Sequence, residues 1–166
     1  MTAKRHIIIV IIFSSLFFLV SFNSYADILE KLSEGQSAFS SGEYKKAVNL
    51  WREAAETGNS NAQVLLGLAY ANGWGVARDL QTTQMWYHIA AENNNSTAQF
   101  LLGLYYISNT DSNRVDTGIM WIKRAAKNGD ISAKGFLQKA EEKHWFENLE
   151  RWDRKMDGEK FAANLN

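Results

Sequence analysis

The sequence contains no cysteine and no proline, and its acidic and basic residues are equal in number. Without cysteine the chain has no disulfide, no thiol nucleophile, no thiolate metal ligand and no attachment point for a lipid anchor on cysteine. The lack of proline suits a nearly all-helical chain, because proline interrupts helices. The 18 Lys and Arg against 18 Asp and Glu leave no basic excess. We therefore expect no nucleic acid partner, since nucleic acid binding requires a basic face.

Histidine is also scarce. Only His88 and His144 follow the first 26 residues, and they lie far apart in the sequence. An enzymatic site requires a nucleophile with a base, a metal cluster or a pair of carboxylates in a cleft. The adjacent Glu141 and Glu142 are more typical of a solvated helix face than of such a pair. The sequence thus predicts a non-enzymatic protein with no cofactor and no catalytic, cofactor-binding or metal-binding residues.

Residues 1–26 have the organisation of a secretory signal peptide. Basic residues precede a largely apolar run at 7–20, and the small residues Ser24 and Ala26 stand before the expected cleavage site. The run is shorter than the ~20 apolar residues that span a bilayer. We expect cleavage after Ala26 and an exported protein, periplasmic or secreted. The alternative is an uncleaved anchor, which would be the chain's only expected contact with a membrane.

The rest of the chain is organised around a stretch of sequence that occurs twice. Ala62–Asn95 recurs from Ala98 onwards, with an offset of 36 residues before the loop and 35 after it. A period in this range indicates stacked repeats, each burying a face against its neighbours. The recurring pairs are Ala62 and Ala98, Leu66 and Leu102, Gly67 and Gly103, Tyr70 and Tyr106, Trp86 and Trp121, and Ala90 and Ala125.

Each copy predicts two helices. The first, at 62–72, is apolar almost all round and should be buried. A glycine inside it costs ~1 kcal/mol relative to alanine, so the recurrence of Gly67 as Gly103 predicts close backbone approach of another helix. The second helix, Leu80–Glu92, is predicted to bury the face that carries Trp86, Ile89 and Ala90.

These residues resemble the Sel1-like repeat, a relative of the tetratricopeptide repeat. The resemblance covers about Glu34 to Lys134, with an upstream half-copy around Trp51 that is closer to a tetratricopeptide pair. It implies an all-α fold, a short right-handed superhelix of antiparallel helix pairs that binds other proteins. The matching residues in the first full copy are Ala62, Leu66, Gly67, Tyr70, Gly73, Gly75, Val76, Asp79, Trp86, Ala90 and Ala91.

We predict a signal peptide at 1–26, a repeat domain at 27–157 and a flexible tail at 158–166. Within the domain, a tetratricopeptide-like pair at 27–59 precedes repeats at 60–95 and 96–130 and a long C-terminal capping helix at 131–157. That last helix carries an apolar stripe with spacings of 4, 3 and 4, and it either covers the end of the stack or projects to dock a partner. The stripe consists of Trp145, Leu149, Trp152 and Met156.

The resemblance implies that the first helices of the pairs line a concave groove for an unidentified envelope protein or peptide. We also keep two alternatives: a structural part of an envelope machine, such as a flagellar stator or secretion system, and a cell-wall-active hydrolase. The second is disfavoured, because the chain lacks the cysteine pairs of Sel1-like proteins linked to penicillin binding. The candidate partner-binding residues are Gln63, Gln99, Phe100, Tyr105, Trp145 and Trp152.

Overall fold

The computed structural model describes residues 25–108, 114–143 and 145. These residues contain seven α-helices and no strand. Most of the predicted signal peptide and the whole predicted tail at 158–166 lie outside the described residues. The helices are α1 at residues 25–40, α2 Tyr44–Glu56, α3 Ser60–Asn72, α4 Leu80–Glu92, α5 Ser96–Ser108, α6 Val115–Lys127 and α7 Ile131–Glu142.

The chain divides into two compact units, Met1–Leu80 and Gln81–Asn166. The described part of the first unit contains α1, α2, α3 and the loop after α3. The second contains α5, α6, α7 and all but the first residue of α4. Among the described helices, none has the length and hydropathy needed to cross a bilayer.

In the first unit the core is built on Trp51 of α2. Its indole ring packs beside the ring of Phe39, at a centroid distance of 5.6 Å, and is almost fully buried. A Cβ added to Gly35 of α1 would lie 2.5 Å from the indole Nε1, so only glycine fits there. An ion pair between Lys31 and Glu53, at 3.1 Å, also links α1 to α2.

The turns before α3, α5 and α7 share one geometry. Each contains a residue with positive φ, namely Gly58 at 93°, Asn94 at 60° and Gly129 at 96°. The following residue donates its N–H to the carbonyl five positions back, and its side chain then accepts from an N–H of the next helix. Such turns satisfy backbone groups that helix ends leave unpaired. The capping pairs are Asn59 with Ala62, Asn95 with Ala98, and Asp130 with Ala133, at 2.9, 3.0 and 2.8 Å.

In the second unit α5 and α6 touch at two glycines. A Cβ added to Gly103 would lie 2.7 Å from the carbonyl oxygen of Gly118, and one added to Gly118 would lie 2.7 Å from that of Gly103. The predicted close approach at Gly103 is therefore confirmed. Its repeat equivalent Gly67 is buried in α3.

The buried face of α4 differs from the predicted one. The helix buries Tyr87 and Ala90, whereas Trp86 is half-buried and Ile89 is exposed. The predicted and observed faces both contain Ala90, so the apolar pattern alone does not separate them. The result leaves Ile89 on the surface of the second unit.

The predicted long C-terminal helix is wrong in its length. α7 ends at Glu142, with Lys143 as its C-cap, and the ring of Trp145 lies 6.0 Å from that of Phe136. In one straight helix those residues would be ~13 Å apart along the axis and on opposite faces. One continuous helix from Ile131 through Trp145 is therefore not formed, and residues 146–157 of the predicted helix lie outside the described residues.

Candidate functional site

The two glutamines predicted to face a partner are internal. Gln63 and Gln99 are 3% and 0% exposed. Each donates its side-chain amide N–H to a carbonyl at the end of the preceding helix, that of Ala55 at 3.1 Å and that of Ala91 at 3.0 Å. The side-chain oxygen of Gln99 also accepts from Asn128 at 2.9 Å. The expectation that these glutamines line a groove is thus corrected, because the repeat uses them to tie one helix to the next.

Phe100 is a packing residue. Its ring lies 6.3 Å from that of Phe136 and packs against the buried cluster around Ile122 and Ala133. Trp145 is exposed at 41% of its surface, yet its ring also contacts Phe136 and lies under the Lys143 ammonium at 5.4 Å. Trp152 lies outside the described residues. Of these three candidates, the described structure gives Phe100 and Trp145 contacts within the chain itself.

Tyr105 is the candidate that the repeat architecture does not need. Its repeat equivalent is Ala69, which is fully buried in α3 and accepts N–H bonds from the turn at Gly73 and Trp74. Tyr105 is half-buried on α5 and meets Tyr106 edge to face, with ring centroids 6.1 Å apart. A large aromatic ring here replaces a side chain that the first repeat keeps minimal.

The neighbouring tyrosine is held in place. The amide of Gln84 on α4 donates to the Tyr106 hydroxyl at 3.2 Å. Tyr106 in turn contacts one side of the Tyr105 ring edge to face. A ring already ordered before binding loses less conformational entropy when a partner covers it.

Gln84 also belongs to a shallow depression on α4. The depression has a volume of about 300 Å³ and is lined by Gln81, Gln84, Met85, His88 and Ile89. Met85 is 48% exposed and Ile89 is exposed as well. Gln84 links the depression to the tyrosine pair through its hydrogen bond to Tyr106. We call this set the α4–α5 surface: Gln84, Met85, His88, Ile89, Tyr105 and Tyr106.

Charged groups border one side of the α4–α5 surface. The ring of His88 stands edge-on to that of Trp121 at 6.0 Å, and the Arg124 guanidinium lies 5.1 Å from the Trp121 ring centre. Arg124 also pairs with Glu92 at 3.8 Å and donates to Asn94 at 3.2 Å. An apolar patch with a polar border is the usual composition of a protein interface.

One described side chain of the second unit has a shifted pKa, that of Tyr87. Beneath the surface, burial raises the pKa of Tyr87 to about 12, which keeps this phenol neutral at ordinary pH. Across residues 25–108, 114–143 and 145, no three His, Cys, Asp or Glu side chains are grouped as metal ligands. The described groups of this surface offer apolar contact and hydrogen bonding.

Sequence comparison identifies the family. Sel1 repeats match at residues 33–59, 60–95 and 96–130, more than half of the chain. The chain therefore belongs to the Sel1 repeat family, which confirms the resemblance. Sel1 repeat proteins are generally protein-interaction scaffolds, and their folds are typically non-enzymatic. No curated protein matches the chain.

Two solved structures are similar to it. A Sel1 repeat protein from Oxalobacter formigenes is 30% identical over 54% of this chain and 37% of its own, with a TM-score of 0.49. The second is c5321, a protective antigen present in uropathogenic Escherichia coli strains that displays an SLR fold. It is 22% identical over 68% of this chain and 25% of its own, with a TM-score of 0.61. The second likeness confirms the all-α helical repeat solenoid, while both relatives are much longer than the part that this chain spans.

Proposed function

We propose that this chain is an exported, non-enzymatic scaffold that binds a protein or peptide partner at the α4–α5 surface. The observation that carries the proposal is Tyr105, a half-buried aromatic ring at a position where the preceding repeat has the fully buried Ala69. Because the repeat folds with alanine there, the tyrosine is free to serve recognition. Rigid aromatic side chains are frequent binding hot spots.

The rest of the surface supports the same conclusion. Met85 and Ile89 are exposed apolar side chains on α4, in the depression that includes Gln84, the hydrogen-bond donor to Tyr106. Methionine adapts its shape to the side chain that it meets. The composition suits a partner segment with apolar side chains at helical or extended spacing.

Export is supported by residues 1–26. Their basic start, short apolar run and small residues before Asp27 are typical of a secretory signal. A partner of the exported protein would then be found in the cell envelope or outside the cell.

Site-specific photo-crosslinking tests the proposal. A photoreactive phenylalanine analogue is placed at Tyr105 or Met85 in the full-length chain, expressed in its own cells. Control positions are Lys127, at the exposed end of α6, and Lys45, which is exposed on α2. Adducts are then isolated and identified by mass spectrometry.

We expect the same partner in adducts from Tyr105 and Met85, recovered from the envelope or the medium, and no such adduct from the controls. Equal adducts from Lys45 and Lys127, or none from the α4–α5 surface, would contradict the assignment of the site. Measurable enzymatic turnover by the purified chain would contradict the scaffold proposal.

A further inference from the structure

Arg124 of α6 brings a positive charge to one end of the α4–α5 surface. Its guanidinium lies 5.1 Å from the centre of the Trp121 ring, and that ring meets His88 of the surface at 6.0 Å. Asn94, in the turn after α4, accepts a hydrogen bond from the guanidinium at 3.2 Å. The ring and the hydrogen bond together orient this planar group before any partner binds.

The Arg124 guanidinium has donors left for a further acceptor. It carries five N–H groups. Within the described part of the chain it donates one hydrogen bond, to Asn94, and the Glu92 carboxylate lies 3.8 Å away, beyond hydrogen-bonding distance. A carboxylate that approaches in the plane of the guanidinium can accept two parallel N–H bonds. Arg124 can therefore bind a carboxylate from another molecule and keep its bond to Asn94.

The charges around Arg124 are mainly positive. Lys123 and Lys127 are exposed within one turn of it on α6, inside the ~8–10 Å over which salt leaves charges incompletely screened. Of the acidic residues in this region, Glu92 faces Arg124, and Asp130 caps α7 by accepting an N–H of that helix. An acidic group on a partner is therefore favoured over a basic one.

The cation and the tyrosine pair lie towards opposite ends of α4. Gln84, which donates to the Tyr106 hydroxyl, is in the first half of this helix, and Glu92, which faces Arg124, is its last residue. The two are eight positions apart, or ~12 Å along the helix axis at about 1.5 Å per residue. The exposed apolar side chains of α4 in the surface lie between them.

We propose that the partner is an acidic segment whose Asp or Glu side chain binds Arg124 while an apolar side chain contacts Tyr105. The inference rests on the proposed function, because it specifies the partner of the same surface. In a helical partner the two side chains would be about eight residues apart at ~1.5 Å per residue. In an extended partner they would be about four residues apart at ~3.3 Å per residue.

A random peptide library tests this without a known partner. Phage-displayed peptides of about 16 residues, long enough to span ~24 Å as a helix, are selected on the immobilised full-length chain. Clones whose binding is weakened by Tyr105→Ala are kept, because these occupy the α4–α5 surface. The affinities of the corresponding synthetic peptides are then measured for Arg124→Gln and for the control Lys127→Gln, which removes an equal charge one turn further along α6. Matching unfolding midpoints show that the variants retain the fold.

We expect the Tyr105-dependent peptides to contain Asp or Glu at one of the two spacings. They should bind Arg124→Gln at least ~10-fold more weakly and Lys127→Gln less than ~2-fold more weakly. Replacing the acidic residue of the peptide with lysine should restore binding to Arg124→Glu. Tyr105-dependent peptides that bind Arg124→Gln as tightly as the unaltered chain would overturn the acidic partner and leave the proposed function standing. If no selected peptide depends on Tyr105, both proposals fail.

Discussion

The carbonyl oxygens of Gly103 and Gly118 each occupy the space that a side chain on the other residue would need. A Cβ on either glycine would stand 2.7 Å from the opposite oxygen, closer than such atoms pack. The two backbones of α5 and α6 therefore meet without side chains between them. This contact joins the helices that carry Tyr105 and Trp121.

Gly103→Ala should destabilise the protein. The new methyl group meets backbone rather than a flexible side chain, so α5 and α6 must separate, at a cost of about 1–3 kcal/mol. The matched control is Gly135→Ala, also inside a helix but next to open space. There the higher helix propensity of alanine should leave stability unchanged or raise it by up to ~1 kcal/mol. Urea unfolding of both variants measures the difference, and equal midpoints would show that the glycine contact is not tight.

Gln99→Leu should also reduce stability, although glutamine is a polar residue often found on surfaces. The change leaves the Ala91 carbonyl without the Gln99 donor and removes the acceptor of Asn128. A buried polar group without its partner costs about 1–3 kcal/mol. Gln36→Leu on the exposed side of α1 is the control and should stay within ~0.5 kcal/mol of the unaltered chain. Equal free energies of unfolding for the two variants would show that the Gln99 side chain does not stabilise the fold through these hydrogen bonds.

The repeat period predicted much of the fold because the residues that recur are the ones that the backbone geometry requires. Glycines, alanines and cap residues recur wherever a turn or a close contact recurs, and the observed bounds of α4 match the predicted Leu80–Glu92. Asn94 was also accessible to this reasoning, since it occupies the turn position that Gly58 and Gly129 fill in the neighbouring repeats. The role of Gly118 could not be predicted in this way, because the first repeat has Thr83 at the equivalent position and the glycine therefore does not recur.

The candidate site was predicted less well, for a physical reason. A repeated residue signals what the fold needs, so Gln63 and Gln99 recur as internal clamps rather than as binding residues. A recognition residue is expected instead where two copies differ, as Ala69 and Tyr105 do. Which side of α4 is buried depends on how the neighbouring helices pack against it, and the apolar pattern of one helix does not specify that packing.

Stability should fall in alkaline solution partly through Tyr87. Its pKa is about 12 in the folded chain and ~10 in an unfolded one. Between these two values the unfolded chain ionises Tyr87 more readily than the folded chain does. The free energy of unfolding therefore keeps its full value below pH ~10 and falls as pH rises towards ~12, by on the order of 2 kcal/mol. Urea unfolding at several alkaline pH values measures this loss. Tyr87→Phe removes the titrating group and should show a smaller fall, while the other tyrosines and the lysines titrate in both proteins. Parallel curves would contradict burial as the cause.

Export makes a separate prediction about the start of the protein. If residues 1–26 are a cleaved signal, the exported form begins at Asp27. Intact-mass measurement of the protein recovered from the envelope or the medium determines this directly. A full-length species retained in the membrane fraction would instead support the uncleaved anchor.

The affinity of the Tyr105→Ala variant for the partner captured by cross-linking tests the central claim most directly. Truncation of a binding hot spot costs about 2 kcal/mol or more, equivalent to ~30-fold in Kd. We predict at least that loss in calorimetric titration, while the free energy of unfolding falls by less than ~1.5 kcal/mol because Tyr105 is only half-buried. Phe100→Ala, which removes a ring from the packed cluster, should give the opposite pattern. An unchanged Kd for Tyr105→Ala would contradict binding at the α4–α5 surface.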